Sequence, residues 1–283
     1  MNAKYLTAVA LVVAASLAAA AQTTTTPLSI TGTAGSYSEN FDSMTTAGGI
    51  YPAGFNGFRF AGSGTANQPL TPIVDTGALN GGAVYNYGTT LTSTDRALGT
   101  HASGTTSPAF GVVFVNNTGA TLDLSTLSFS FRVEQYRTGN TGTGVDAALE
   151  QATFRYATGP AIDVSFPTAS GTTAAALNLF EVRSDLSPAT NGPINGNGQT
   201  GGVDNFATVN AAAGVLTGSV ASGDRLVLRW EDFNSGGNDA GFAIDDLVIN
   251  GIFIVPVPEP ATVGLLATAG LGLAGCVRRR LVG

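Results

Sequence analysis

Between Leu127 and Glu134 every second residue is apolar: Leu127, Phe129, Phe131 and Val133 alternate with Ser128, Ser130, Arg132 and Glu134. Successive side chains of an extended strand point to opposite faces, so this rhythm requires one face in a core and the other in water. The pattern recurs in Leu226, Leu228 and Trp230, set between Val227, Arg229 and Glu231, and in Phe154 and Tyr156, set beside Thr153 and Arg155. Ile162, Val164 and Phe166 predict a further strand, and Phe110 to Val115, apolar on both faces, predicts a central one. Asn56-Gly57, Asn80-Gly81 and Asn250-Gly251 supply turn signals between the runs. No sustained 3.6-residue periodicity exists outside the two ends of the chain. The expectation is an all-β fold, a two-sheet β-sandwich of jelly-roll type.

The two ends follow different rules. Lys4, an apolar segment from Leu6 to Leu17 and the small residues Ala18 to Ala21 read as a secretory signal peptide over residues 1–21. At the other end, residues 257–283 hold Pro258-Glu259-Pro260, an apolar run from Val263 to Val277, and Arg278-Arg279-Arg280. As a helix, about 15 residues at about 1.5 Å each reach roughly 22 Å, short of the roughly 30 Å hydrocarbon core, so this run is a marginal anchor. The arginines orient it with the body outside and the C-terminus in the cytoplasm. Both prolines hold the backbone around Glu259 extended, the form a processing enzyme needs.

In order and position these elements resemble the PEP-CTERM sorting signal of Gram-negative bacteria that make extracellular polysaccharide. The resemblance implies recognition of Pro258, Glu259 and Pro260 by an exosortase in the inner membrane, removal of the apolar helix with its basic tail, and delivery of residues 22–256 to the cell surface or extracellular matrix. Leu273-Ala274-Gly275-Cys276 imitates a lipoprotein box, but lipidation needs that box at the end of an N-terminal signal.

Composition bounds what the body can do. Charged residues make up 11% of the chain and there are 38 glycines, a balance that favours strands and turns. Setting aside Lys4, the three tail arginines and Glu259 leaves 8 arginines against 18 acids, a net charge of −10. Such a surface repels nucleic acid and attracts divalent cations. The single cysteine, Cys276, lies in the tail, so the body carries no disulfide, and roughly 235 residues suffice for one sandwich core. Asp185 to Asn205, rich in Asn-Gly pairs and almost without apolar residues, reads either as a disordered or variable loop or as a ligand loop.

Catalytic readings find little support. His101, the only histidine, lies in a Gly/Ser/Thr-rich turn and reads as a surface residue, and zinc ligands are missing. Glu134, Glu231 and Asp232 are the carboxylates available for glycoside hydrolysis, but Glu231 faces away from Trp230 and reads as part of a solvated outer face. Carbohydrate binding needs flat aromatic faces beside hydrogen-bonding groups; Tyr51, Tyr85, Tyr87 and Tyr136 are the candidates, with Phe55 beside them, while Trp230 shares the parity of the core.

The acids at the two ends of the body form a more specific pattern. Glu39-Asn40-Phe41-Asp42-Ser43 lies near the start and Ala243-Ile244-Asp245-Asp246-Leu247 near the end. Phe242 and Ile244 share one parity, Leu247 and Ile249 the other, so a β-bulge is expected at Asp245-Asp246. These segments, with Tyr51-Pro52-Ala53-Gly54-Phe55, resemble the jelly-roll domains of bacterial cleaved-adhesin and MAM type, although Phe55 stands where those families often have tryptophan. In a jelly roll the first and last strands lie side by side. Glu39, Asp42, Asp245 and Asp246 would then meet and bind a structural calcium ion, or else cap turns. The expected function is non-catalytic: adhesion or association with extracellular polysaccharide. The alternative is a specific carbohydrate-binding module, with a glycoside-active enzyme third.

Mass spectrometry of the exported protein is expected to show that everything after about Pro260 is missing, and replacement of Glu259 to leave precursor in the inner membrane. A stable surface form that still carries Arg278 to Arg280 would exclude this processing.

Overall fold

A computed structural model describes residues 25–141, 150–186, 192–235 and 237–254. The signal peptide, Pro258-Glu259-Pro260, the apolar run and Arg278 to Arg280 lie outside the described residues. The longer strands are β1 (Leu28–Gly32), β2 (Ser36–Glu39), β3 (Phe55–Ala61), β4 (Ile73–Asp75), β5 (Ala83–Tyr87), β6 (Ala97–His101), β7 (Ser107–Asn116), β8 (Ser128–Arg137), β9 (Gln151–Gly159), β10 (Phe206–Ala211), β11 (Arg225–Asp232) and β12 (Gly241–Asn250). Among the described residues there is no α-helix, only short 3-10 turns.

These strands form two sheets. In the first, β9, β11 and β7 run side by side, and β3 and β1 share the far side of β7. In the second, β10, β8 and β12 are followed by β6, β5 and β4, while β2 takes the stretch of β12 that β6 leaves free. The first and last strands are neighbours in both sheets: β2 pairs antiparallel with β12, and β1 with Phe253–Ile254. Central β7 is buried on both faces, as its apolar run predicts.

The core lies between the sheets. Leu226, Leu228 and Trp230 of β11 and Phe110, Val112 and Phe114 of β7 meet Phe129, Phe131 and Val133 of β8 and Phe242 and Ile244 of β12. Trp230 stacks on Phe110 at 5.4 Å, meets Phe154 edge-on at 5.2 Å, and donates its indole N–H to the Leu177 carbonyl at 2.8 Å. This satisfies the one polar atom of the largest core side chain, which makes its burial inexpensive.

The outer faces depart from expectation. Ile162 to Phe166 is not a strand; it lies across the outer face of the first sheet, where Val164 and Phe166 pack on Phe58, Val113 and Val227. Its carbonyls are taken instead by a side chain, because Arg229 donates to the Val164 and Phe166 carbonyls at 2.8 and 2.5 Å. The Arg229 guanidinium also lies over the Phe166 ring at 3.6 Å and pairs with Glu231, which in turn accepts from Arg155 at 2.8 Å. Glu231 does face away from Trp230, but it is fully buried beneath this segment and is not solvated. Asn56-Gly57 is also not a turn; it lies within β3, where a Cβ on Gly57 would sit 2.3 Å from the Tyr51 hydroxyl oxygen.

Trp230→Ala is expected to cost about 3–5 kcal/mol, the usual range for emptying an aromatic site in a core. A thermal melt that differs little from the parent would show that the ring does not carry the packing described.

Candidate functional site

The predicted bulge is present. The β8–β12 register slips between the pairs Ser130↔Val248 and Arg132↔Asp245, and Asp246 adopts a left-handed φ of 50°. The slip falls where the other neighbour of β12 changes, since residues 241–244 pair with β6 and 247–250 with β2. One extra residue here lets Phe242, Ile244, Leu247 and Ile249 all face the core despite their change of parity.

This arrangement partly assembles the four acids. Pairing of β2 with β12 puts Glu39 opposite Leu247, and a cavity of about 510 Å³ opens there, lined by Ser38, Glu39, Asn40, Asp246, Leu247 and Val248. Glu39 accepts from the Phe41 amide at 2.8 Å. Asp42 accepts from the Arg96 amide at 3.1 Å and from Asn40 at 2.8 Å. Asp245 is buried and accepts from the Asp246 amide at 2.7 Å. Among the described residues no three acidic or histidine side chains are grouped as ligands of one metal ion. In this conformation Glu39 holds its own turn and Asp42 ties the same turn to Arg96, while Asp245 shares the neighbourhood of Glu134, Asp246 and Asp95.

That neighbourhood is the outer face of the second sheet, which holds the predicted aromatics. Tyr85, Tyr87 and Tyr136 form one stack, with ring centroids 5.1 and 4.6 Å apart. None of the three offers a ring to a ligand, because all are buried. The cover is the Asn/Gly-rich segment: the Ile194 amide donates to the Tyr136 carbonyl at 2.9 Å, and a Cβ on Gly196 would lie 2.6 Å from the Tyr136 ring. Arg183 secures the segment by donating to the carbonyls of Thr200 and Val203 and to Asn205. Residues 192–205 are thus a packed cover, and 187–191 lie outside the described residues. Tyr51 is half-buried and donates to the Leu70 carbonyl at 2.7 Å, and Phe55 is in the core.

Beneath the same cover Glu134 accepts from the Tyr136 hydroxyl at 2.8 Å, with Arg132 at 3.3 Å. Burial, only partly offset by that hydrogen bond and by Arg132, pushes its carboxyl up to about 7. Burial and the nearby Glu134 push Asp245 up to about 8. At the end of the sandwich Glu150 and Asp239 share the Ser235 hydroxyl at 2.8 and 2.6 Å, and Glu150 also accepts from the Ala240 amide. Burial raises Glu150 to about 7, and Asp232, wholly buried nearby, is raised further by Asp239 and Glu150. His101 is not a surface residue; it is buried on β6, and its imidazole is lowered to about 4 by burial and by Arg137.

Two exposed features escaped the sequence reading. Phe233 is 47% exposed and meets Phe60 edge-on at 4.6 Å; it follows β11 directly, where alternation had ended. A groove of about 190 Å³ lies at the edge of the first sheet, lined by Leu124, Tyr156, Ala157, Thr158, Ser170, Thr172, Thr217, Gly218 and Ser219. Its members come from four separated segments, so no local spacing could reveal it.

Residues 256–280 match the PEP-CTERM protein-sorting motif. The chain is therefore exported, transiently membrane-anchored and directed to the cell surface or extracellular space, with exosortase as its processing partner. No curated protein is significantly similar to it. Among solved structures it is similar to the K3 cleaved adhesin domain of Lys-gingipain from Porphyromonas gingivalis W83, at 14% identity over 76% of this chain and 98% of that one, with a TM-score of 0.35. It is also similar to the K1 domain of the same protein, at 14% identity over 77% and 98%, TM-score 0.34. A third similarity is to the CBM22-1 xylan-binding domain of Paenibacillus barcinonensis Xyn10C, at 10% identity over 80% and 98%, TM-score 0.27. Likenesses this distant speak to neither ligand nor activity.

The buried acids set the expected pH dependence. Between about pH 4 and 8 folded Asp245 keeps a proton that the unfolded chain releases, so its contribution is complete in acid and is lost as pH rises through 8. Glu134 and Glu150 act in the same direction up to about pH 7. His101 opposes them, but only between about pH 4 and 6.5, where the unfolded imidazole holds the extra proton. The melting temperature is expected to fall from pH 6.5 to 8.5, and Asp245→Asn to flatten that fall; a flat profile in the parent would contradict the burial described. The calcium expectation is tested at pH 8, by melting the exported protein in millimolar calcium and in chelator. A calcium-dependent rise that Asp245→Ala removes would support the ion, and identical melting would leave these acids as turn residues.

Proposed function

We propose that the exported body is a non-catalytic module that associates with extracellular polysaccharide after its tail is removed. One observation carries the non-catalytic part: the candidate carboxylates share no cleft. Glu134 lies under the cover of the second sheet, and Glu231 lies under that of the first, held by Arg155 and Arg229. Glycoside hydrolysis needs two carboxyl groups within about 5–9.5 Å on either side of one bond, with access for the sugar. Asp232 shares the inward parity of Trp230 and is buried at the end of the core. His101 is buried.

The polysaccharide part rests on the sorting motif and on the character of the surface. The motif directs the chain to the surface. Among the described residues the exposed groove is lined by hydroxyl groups and by no charged side chain. Anionic polymers are disfavoured by a body of net charge −10, so a neutral glycan is the better partner.

The exported protein is expected to cofractionate with the extracellular matrix, to be released when the polysaccharide is depolymerised, and to leave purified polysaccharide uncut. Recovery as free protein in the culture supernatant, or release of reducing ends from the polysaccharide, would overturn the proposal.

A further inference from the structure

The edge groove of the first sheet has the chemistry of a sugar subsite. Tyr156 and Leu124 back the groove from the core and are themselves buried. The Tyr156 hydroxyl is already committed, accepting from the Thr217 amide at 3.0 Å and standing 3.2 Å from the Thr217 carbonyl oxygen. It fixes the 217–219 wall against β9. The opposite wall is Ser170 and Thr172, held by pairing of Tyr156 with Thr172. The two walls are therefore tied to one strand and keep their spacing without a ligand.

Around this frame stand Thr158, Ser170, Thr172 and Ser219, all exposed, whose hydroxyls make no hydrogen bond to another described protein group. A hydroxyl both donates and accepts and rotates to suit its partner, which is also true of every hydroxyl on a sugar. Among the described residues no carboxylate, guanidinium or amine lines the groove, so none of them selects an ion. About 190 Å³ corresponds to about six waters at their liquid share of about 30 Å³. That is room for a single ring, with both ends of a chain free to leave through the open sides.

We propose that this groove is a binding subsite for one ring of a neutral polysaccharide, with Thr158, Ser170, Thr172 and Ser219 replacing its water. The inference rests on the polysaccharide association proposed above and gives that association a location. Binding at one such subsite is weak, and firm retention comes from many protein copies along one polymer.

Affinity electrophoresis of the exported protein, in gels carrying a neutral glucan, a neutral galactomannan or anionic alginate, tests it. The parent is expected to be retarded in at least one neutral gel and to run freely in alginate. Thr158→Val and Thr172→Val keep the β-branched shape and remove one hydroxyl each. Each should weaken retardation about five-fold, the loss of one neutral hydrogen bond, with the parent's melting temperature retained. A double variant retarded as strongly as the parent overturns the subsite and leaves polysaccharide association standing, and loss of retardation in Phe233→Ala instead moves the contact to the Phe60–Phe233 pair. Retardation by alginate alone overturns the neutral subsite. A parent that no polysaccharide retards overturns both the subsite and the association.

Discussion

Apolar contact between the inner faces of the two sheets, centred on Trp230, is the constraint on which everything else depends. The body has no disulfide and few charges to spend on surface networks. Its cohesion comes from non-directional burial across an interface whose members run from Leu28 to Ile252. Because the core draws on nearly the whole described chain, the positions of the two acidic ends are set by packing. The bulge at Asp245-Asp246 is a product of that packing: it reconciles a long strand with two different neighbours while keeping Phe242, Ile244, Leu247 and Ile249 inside.

A two-sheet sandwich ordinarily leaves its outer faces to water. Here both are roofed, and each roof is held through arginine. Arg229 receives the carbonyls of the 162–166 segment, and Arg183 those of the 200–203 turn. A guanidinium suits this role because its several donors diverge in one plane and it can lie on an aromatic face, as Arg229 does on Phe166. The roofs bury carboxyls as well, and those beneath the second sheet's cover are met mostly by hydroxyl and amide donors, so protonation is their main route to neutrality.

How far the sequence could be read follows from what periodicity encodes. Alternation reports which side of a strand a residue occupies, so Trp230 in the core, the central strand at Phe110 to Val115 and the bulge at Asp245-Asp246 were all legible. It does not report what lies on that side. Tyr85, Tyr87 and Tyr136, named as candidate ligand aromatics, are buried in one stack with residues 192–205 lying over Tyr136, and Glu231 was correctly outward but lies beneath 162–166. The apolar alternation of Ile162, Val164 and Phe166 was real, yet it served to cover a sheet without pairing to it. The groove around Tyr156 joins residues from Leu124 to Ser219, and only the folded topology brings them together.

The short strand Phe253–Ile254, laid against β1, bears on when and where processing can occur. Pro258 follows Ile254 by only four residues, so the chain between them spans at most about 14 Å, whatever its conformation. A membrane-embedded protease that takes hold of the motif therefore works within about 14 Å of the strand that pairs with β1.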